Sequence, residues 1–267
     1  MRLDDAGGFV FDIDGSLVHR GADFRSEPLP GAVEVLEAIR ASERPLVLFT
    51  NGSHLTPEQF AAGLTEDGLA VSAAEILTPV CCALTYLREA HPGEPVMVFG
   101  SEATKQRMRD EGVELTERPD AGAVFVTHVE QVDLDAAEEA ARAVLAGAPL
   151  LTANYGPGYW GANGIIFSKG AMVTAAIAKV SSVEPIVVGK PSRVAVEAVQ
   201  ERLGVPSEQI AVIGDDVDMD IGLGRLGGSR TILVRSGLSG QIDLAEVEEG
   251  NRPDEVVDGV REILPWL

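Results

Sequence analysis

Short apolar runs alternate with longer amphipathic stretches along most of this 267-residue chain, and no other feature limits its fold so strongly. Runs of β-branched and aromatic residues this short read as strands buried on both faces, and the amphipathic stretches between them read as covering helices. The pattern predicts an α/β fold built on a doubly wound, mostly parallel, Rossmann-like sheet. One group of strands is "GFVFDI" (8–13), "PLVLFT" (45–50), "PIVVG" (185–189), "IAVIG" (210–214) and "TILV" (231–234). A second group, "PVMVFG" (95–100), "GAVFVTHV" (122–129) and "PLLTAN" (149–154), falls inside the first along the chain. The expected organisation is therefore a core from residues 1–78 and 184–267, with an α/β domain of residues 79–183 inserted between them.

Helix starts are marked. The stretch "LPGAVEVLEAIR" opens with Pro30, and Thr56-Pro57 and Thr78-Pro79 each place a capping hydroxyl before a proline suited to the first helical turn. The "SAAE" at 72–75 fits a capping box, and a helix runs from a cap at Asp133 towards a stop at Gly147. Adjacent Cys81 and Cys82 lie in a helical pattern and cannot staple distant segments, so both read as small apolar helix residues.

The ends of the strands carry the chemistry. The first strand ends in Asp12 and, two residues on, Asp14; the second in Thr50-Asn51; the next in Lys190; and the fourth in Asp215-Asp216. Ligands of an open parallel sheet bind beyond the carboxyl ends of its strands, so neighbouring strands of this kind would gather all of these groups at one crevice. Asp12 and Asp14 repel each other unless a cation lies between them. A hard ion such as Mg²⁺ takes carboxylate oxygens and bridges them to a phosphate, and Asp215 offers a further oxygen. Lys190 is one of four lysines, with Lys105, Lys169 and Lys179. Its ammonium suits a phosphate oxygen, as do the Thr50 hydroxyl and an Asn51 N–H. These are the parts of phosphoryl transfer.

In this order and spacing, "DIDGSL", "FTNGS", "GKPS" and "GDDVDMDI" resemble the four motifs of the haloacid dehalogenase superfamily. The resemblance is closest to its p-nitrophenylphosphatase and nucleotide-phosphatase group, whose large α/β cap lies between the second and third motifs. It covers essentially the whole chain. It implies that the inserted domain is such a cap, that Asp12 is the nucleophile forming an aspartyl phosphate, and that Asp14 is the acid and base. It further implies that Thr50, Asn51 and Lys190 hold the phosphate. Mg²⁺ would be bound by Asp12, Asp215 and the main-chain carbonyl of Asp14, with Asp220 orienting Lys190 or a metal water. On this reading the carboxylate beside Asp14 raises its pKa, which keeps it protonated near neutral pH. Asp216 is open between an outer-shell group and a helix cap.

The chain departs from the family in three places. Ser16 replaces the usual Thr, Met219 stands where a Thr commonly precedes the last Asp, and Asn154-Tyr155-Gly156 replaces an Asn-Pro-Asp. Asn154, Tyr155 and Trp160 in the loop 154–164 are candidate substrate contacts, the aromatics open between stacking on a substrate ring and packing the loop against the cap. His19 and Arg20 beyond the first motif are open between a leaving-group contact and a solvated surface. His54 is open between supporting the phosphate loop and entering a helix. The implied activity is a Mg²⁺-dependent phosphomonoesterase acting on a sugar phosphate, nucleotide, pyridoxal phosphate or phosphoglycolate. The alternatives are a phosphate-binding or signalling module, or a phosphotransferase using the same aspartate.

With 42 acidic against 21 basic residues the chain carries a net charge of −21, which opposes binding to nucleic acid or an anionic membrane. No apolar run reaches the ~18 residues of a membrane span, and "MRLDDAGG" does not read as a signal peptide. The expectation is a cytoplasmic protein whose partner is a small phosphorylated substrate, compatible with a homodimer.

Overall fold

The computed structural model describes residues 2–21, 25–161 and 164–267, and only the backbone at 159–161 and 164–165. The chain divides into two compact units, Met1–Thr50 with Pro57–Leu77 and Lys190–Leu267, and Asn51–Thr56 with Thr78–Gly189.

In the first unit, β1 (Gly8–Phe11) has all four residues buried, as expected of a strand flanked on both sides. It pairs in parallel with β4 (Leu46–Phe49) on one side and β12 (Ile210–Gly214) on the other. Beyond β4 lies β5 (Ile76–Leu77); beyond β12 lie β13 (Arg230–Val234) and β14 (Glu255–Val257), which completes a six-stranded sheet in the order β14-β13-β12-β1-β4-β5. Every pairing is parallel. The chain continues from β1 to one side and returns on the other, so the strand order reverses at β1, the place where such sheets form their ligand crevice.

A small antiparallel hairpin, β2 (Val18–Arg20) and β3 (Ser26–Pro28), follows β1. Helix α1 (Ala32–Ala41) buries Val35, Leu36 and Ile39, and α2 (Pro57–Glu66) begins at the proline that the sequence marks. After the second unit, α7 (Arg193–Leu203) is capped by Ser192 and ended by Gly204 in the left-handed conformation. A short α8 (Gly222–Gly227) follows β12.

The second unit is a parallel four-stranded sheet in the order β11-β8-β7-β6: β6 (Val96–Phe99), β7 (Ala123–Val126), β8 (Leu150–Thr152) and β11 (Ile186–Val187). Its helices are α3 (Pro79–Ala90), α4 (Glu102–Asp110), α5 (Leu134–Leu145) and α6 (Lys169–Ser181). Val124, Val126, Val144, Leu150 and Ile177 centre its core. β9 (Gly158–Gly161) and β10 (Gly164–Phe167) form a separate antiparallel pair. Cys81 and Cys82 are buried in α3, which starts at Pro79 with Thr78 accepting from the Cys81 N–H.

One expectation is corrected. The run 185–189 belongs with the second group of strands, because Ile186 and Val187 pair with Leu151 and Thr152 of β8. The division accordingly takes Glu184 through Gly189 into the second unit. An apolar run reports that a strand forms, but not which edge it joins. The segment 51–56 also belongs there: the Ser53 carbonyl accepts from Thr104 Oγ1 at 3.3 Å, and Ser53 Oγ accepts from the His128 N–H at 3.0 Å. Among the described residues no helix is long and apolar enough to cross a membrane.

Candidate active site

Within the first unit, residues far apart in sequence meet at the carboxyl ends of β1, β4 and β12. Lys190 Nζ donates to Asp12 Oδ1 at 2.7 Å, to Asp220 Oδ1 at 2.6 Å and to the Phe49 carbonyl at 2.7 Å. These partners engage all three protons of an ammonium. The Lys190 and Asp220 side chains are buried, whereas that of Asp12 keeps 14% of its surface exposed, which leaves one carboxylate of the group open to a ligand.

Asp215 lies beside them, and carboxylate oxygens of Asp12, Asp215 and Asp220 come within 4.8 Å of one another. Asp220 is fully committed: its second oxygen accepts the N–H groups of Asp215 and Asp216, each at 3.1 Å. Asp215 is held by the Ser16 hydroxyl at 3.2 Å and by the Leu238 N–H at 2.6 Å. Asp12 and Asp215 are therefore the carboxylates best placed to take a cation, with Asp220 fixing the lysine. Ser16 keeps the hydroxyl function of the Thr it replaces.

The electrostatics show strain that a cation would relieve. Burial pushes the Asp12 carboxyl well above its ordinary value; the Asp220 and Asp215 carboxylates add to this, and Lys190 opposes it. Burial and the Asp220 charge likewise raise Asp215, and burial raises Asp220 against the pull of Lys190. For Lys190, burial alone would favour the neutral form, but Asp12 and Asp220 outweigh it and raise the pKa above its ordinary value. Three crowded carboxylates against one ammonium, with hard oxygen donors only, fit a divalent ion of the Mg²⁺ type.

Glycines make the crowding possible. A Cβ on Gly15, whose φ is +91°, would lie 2.5 Å from Asp215 Oδ2, and one on Gly237 would lie 2.0 Å from the same atom. A Cβ on Gly214 would meet Asp220 Cγ at 2.2 Å. The loop after β13 was missed in the sequence: Leu238 and Ser239 donate N–H groups to Asp215, and Ser236 Oγ donates to the Gly15 carbonyl at 2.6 Å. The signal was the "SGLSG" at 236–240, directly after a strand.

Other expected positions fall differently. Asp14 Oδ1 accepts from Arg20 Nε at 2.7 Å, so its close partner is a guanidinium. Asp216 caps the helical turn Val217–Ile221, its Oδ1 accepting from the N–H groups of Asp218 and Met219. Thr50 is buried at the end of β4, its N–H donating to the Leu77 carbonyl. Asn51 belongs to the second unit, where a Cβ on Gly189, the residue before Lys190, would lie 2.6 Å from its Oδ1.

Asn154 turns its Oδ1 to the Gly156 N–H at 2.8 Å and so serves its own loop. Tyr155 is exposed, and the side chain of Trp160 lies outside the described residues. His19 lines a cavity of about 610 Å³ with Arg25, Glu27, Glu66 and Asp67, and neither Asp12 nor Lys190 is among its walls. His54 packs edge-on against His128 within the second unit, ring centroids 5.8 Å apart.

A model of the haloacid dehalogenase-like hydrolases matches residues 9–114, and a second, HAD-hydrolase-like model matches residues 187–263. The chain is 30% identical to the ribonucleotide monophosphatase NagD of Escherichia coli K12 over 258 residues, covering 95% of this chain and 96% of that protein. It is 28% identical to a dihydroxyacetone phosphatase of Corynebacterium glutamicum, covering 96% and 90%. Among solved structures, the p-nitrophenyl phosphatase of Archaeoglobus fulgidus superposes with a TM-score of 0.86 at 26% identity, covering 98% of this chain and all of that one.

Proposed function

The chain belongs to the haloacid dehalogenase-like hydrolases and is a phosphatase, and from that membership we propose that it hydrolyses small phosphomonoesters through an aspartyl phosphate on Asp12. The observation that carries this reading is the Lys190 ammonium bridging Asp12 and Asp220, with Asp215 alongside. One carboxylate is partly open while the others are locked, which suits a single nucleophile held in a fixed charge frame.

Asp12 and Asp215, with the main-chain carbonyl of Asp14, would hold Mg²⁺, which when bound offsets the carboxylate repulsion and stabilises charge on the phosphoryl oxygens. An oxygen of Asp12 bonds to phosphorus as the ester P–O bond breaks, and the leaving oxygen takes a proton from Asp14. A water then gives a proton to Asp14 and attacks phosphorus; the bond to Asp12 breaks and inorganic phosphate departs. Both aspartates return to their starting states. Lys190 contributes its charge throughout, and the N–H it now donates to Asp12 is one that a phosphoryl oxygen could accept instead.

The inserted second unit is proposed as the cap that selects the substrate. The activities named for the relatives, towards a nucleotide and a triose phosphate, favour sugar phosphates and nucleotides as the first classes to test. The experiment is a phosphate-release screen over sugar phosphates, nucleoside monophosphates, pyridoxal phosphate and phosphoglycolate, with Mg²⁺ and with chelator. Metal-dependent release from at least one class is expected. A protein inert towards all of them with Mg²⁺, or equally active in chelator, would overturn the reading. An added alcohol acceptor separates hydrolysis from transfer by its product.

A further inference from the structure

The Arg20–Asp14 contact is unexplained by the roles given above. Asp14 follows β1 on a turn that Gly15 permits, and the Gly15 N–H donates to the Val18 carbonyl at 2.8 Å, which starts the β2–β3 hairpin. Arg20 ends β2, opposite Ser26. The Ser26 N–H donates to Asp67 Oδ2 at 2.8 Å and Arg25 Nε to Asp67 Oδ1 at 3.2 Å, so the hairpin is bolted to the residue after α2. From this base Arg20 reaches back to Asp14 Oδ1 at 2.7 Å, with the two side chains 33% and 45% exposed. A half-exposed ion pair adds little to stability. What it supplies here is direction: a planar guanidinium fixes the rotamer of a carboxyl group that is otherwise free to turn in solvent.

We propose that Arg20 is a positioning residue that aims the Asp14 carboxyl at the leaving-group oxygen. The inference rests on the phosphatase reading above. In the first chemical step the ester P–O bond breaks as the Asp12 oxygen bonds to phosphorus, and the Asp14 proton passes to the departing oxygen. An alkoxide needs that proton; a nitrophenolate, a far weaker base, leaves without it. Misaiming Asp14 therefore harms alkyl esters selectively. Lysine, a point charge on a flexible stem without the planar N–H that Arg20 directs at Asp14, restores the aim only in part.

The test compares kcat/KM, which reports steps up to release of the leaving group, for an alkyl phosphate and for p-nitrophenyl phosphate. Positioned general acids contribute about 10²- to 10⁴-fold, so Arg20→Ala is expected to lower the alkyl value roughly ten- to hundredfold more than the aryl value. Arg20→Lys is expected to fall between Arg20→Ala and wild type. In an Asp14→Asn background Arg20→Ala is expected to change the alkyl value little further, because both act through one group. Equal losses for the two esters, no loss, a gain, or full additivity with Asp14→Asn would each overturn the proposal. Thermal unfolding of each variant shows whether a loss is merely one of folding. Wild-type protein that hydrolyses neither ester would sink the phosphatase reading and this inference together, whereas wild-type hydrolysis with unselective variants sinks only the latter.

Discussion

At Asp12 and Lys190 a single side-chain change separates stability from activity. Asp12 is a largely buried carboxyl pushed upward by burial and by two carboxylate neighbours. Its charged form therefore opposes folding in the metal-free protein at neutral pH. Asp12→Asn removes one of those negative charges while keeping the shape. It is expected to abolish phosphate release and to raise the metal-free melting temperature, by on the order of 2–4 °C for each kcal/mol gained. A variant that turns over normally would remove Asp12 from the nucleophile role. Lys190→Met acts in the opposite sense, because Asp12 and Asp220 would be left without their shared cation. Breaking a buried pair in this way costs about 3–5 kcal/mol, which a urea unfolding curve reads directly. Asp12, Asp215 and Lys190 were legible in the sequence because each stands at the end of an apolar run. The Arg20 partner of Asp14 was not, because a hairpin turn decides it.

Among the elements, β14 shows how a marginal strand is retained. It has three residues, and only Val257 is fully buried. Before it, Asp254 accepts from the Thr231 N–H at 2.8 Å and Oγ1 at 2.9 Å, and it pairs with Arg225 at 2.7 Å, which ties β14 to β13 and α8. Burial works to raise the Asp254 pKa, but the Thr231 and Arg225 bonds outweigh it and hold the carboxyl below its ordinary value of 3.8. A carboxyl depressed in the fold contributes stability that is present above its unfolded pKa and lost as pH falls through the folded one. Asp254→Asn is thus expected to destabilise the protein by about 0.5–1.5 kcal/mol near neutral pH, since the amide keeps one acceptor oxygen for Thr231 but loses the charge and the second oxygen that Arg225 uses at the partly exposed pair. As pH falls below 3.8 and through the lower folded value, the difference between variant and wild type should shrink. Denaturant unfolding at several pH values checks this; a constant difference down to pH 2 would contradict it. Neither β14 nor the two-residue β5 was read from the sequence, since runs so short carry no period. The starts of the two helices with a Thr-Pro signal were read to the residue, because capping is a local signal. Which sheet residues 185–189 join was misread, because strand pairing is not local.

Over the whole molecule the charge of −21 sets how a dianionic substrate arrives. The buried ammonium of the site is already shared by Asp12 and Asp220. At long range the protein therefore repels what its site must bind, and only at contact do Lys190 and a bound cation attract it. Such fields change association rates by about 10- to 10³-fold when their sign is favourable, and they oppose association when it is not. Salt shortens their reach, from about 30 Å at 0.01 M ionic strength to about 8 Å at 0.15 M. For a phosphomonoester at fixed free Mg²⁺, kcat/KM is thus expected to rise severalfold over that range, while kcat stays nearly level because the bound complex is screened little. A neutral competitor of the same size would show no such rise. If kcat/KM falls with added salt instead, the field at the entrance must be positive despite the net charge. The acidic residues would then be segregated away from the route by which substrate enters.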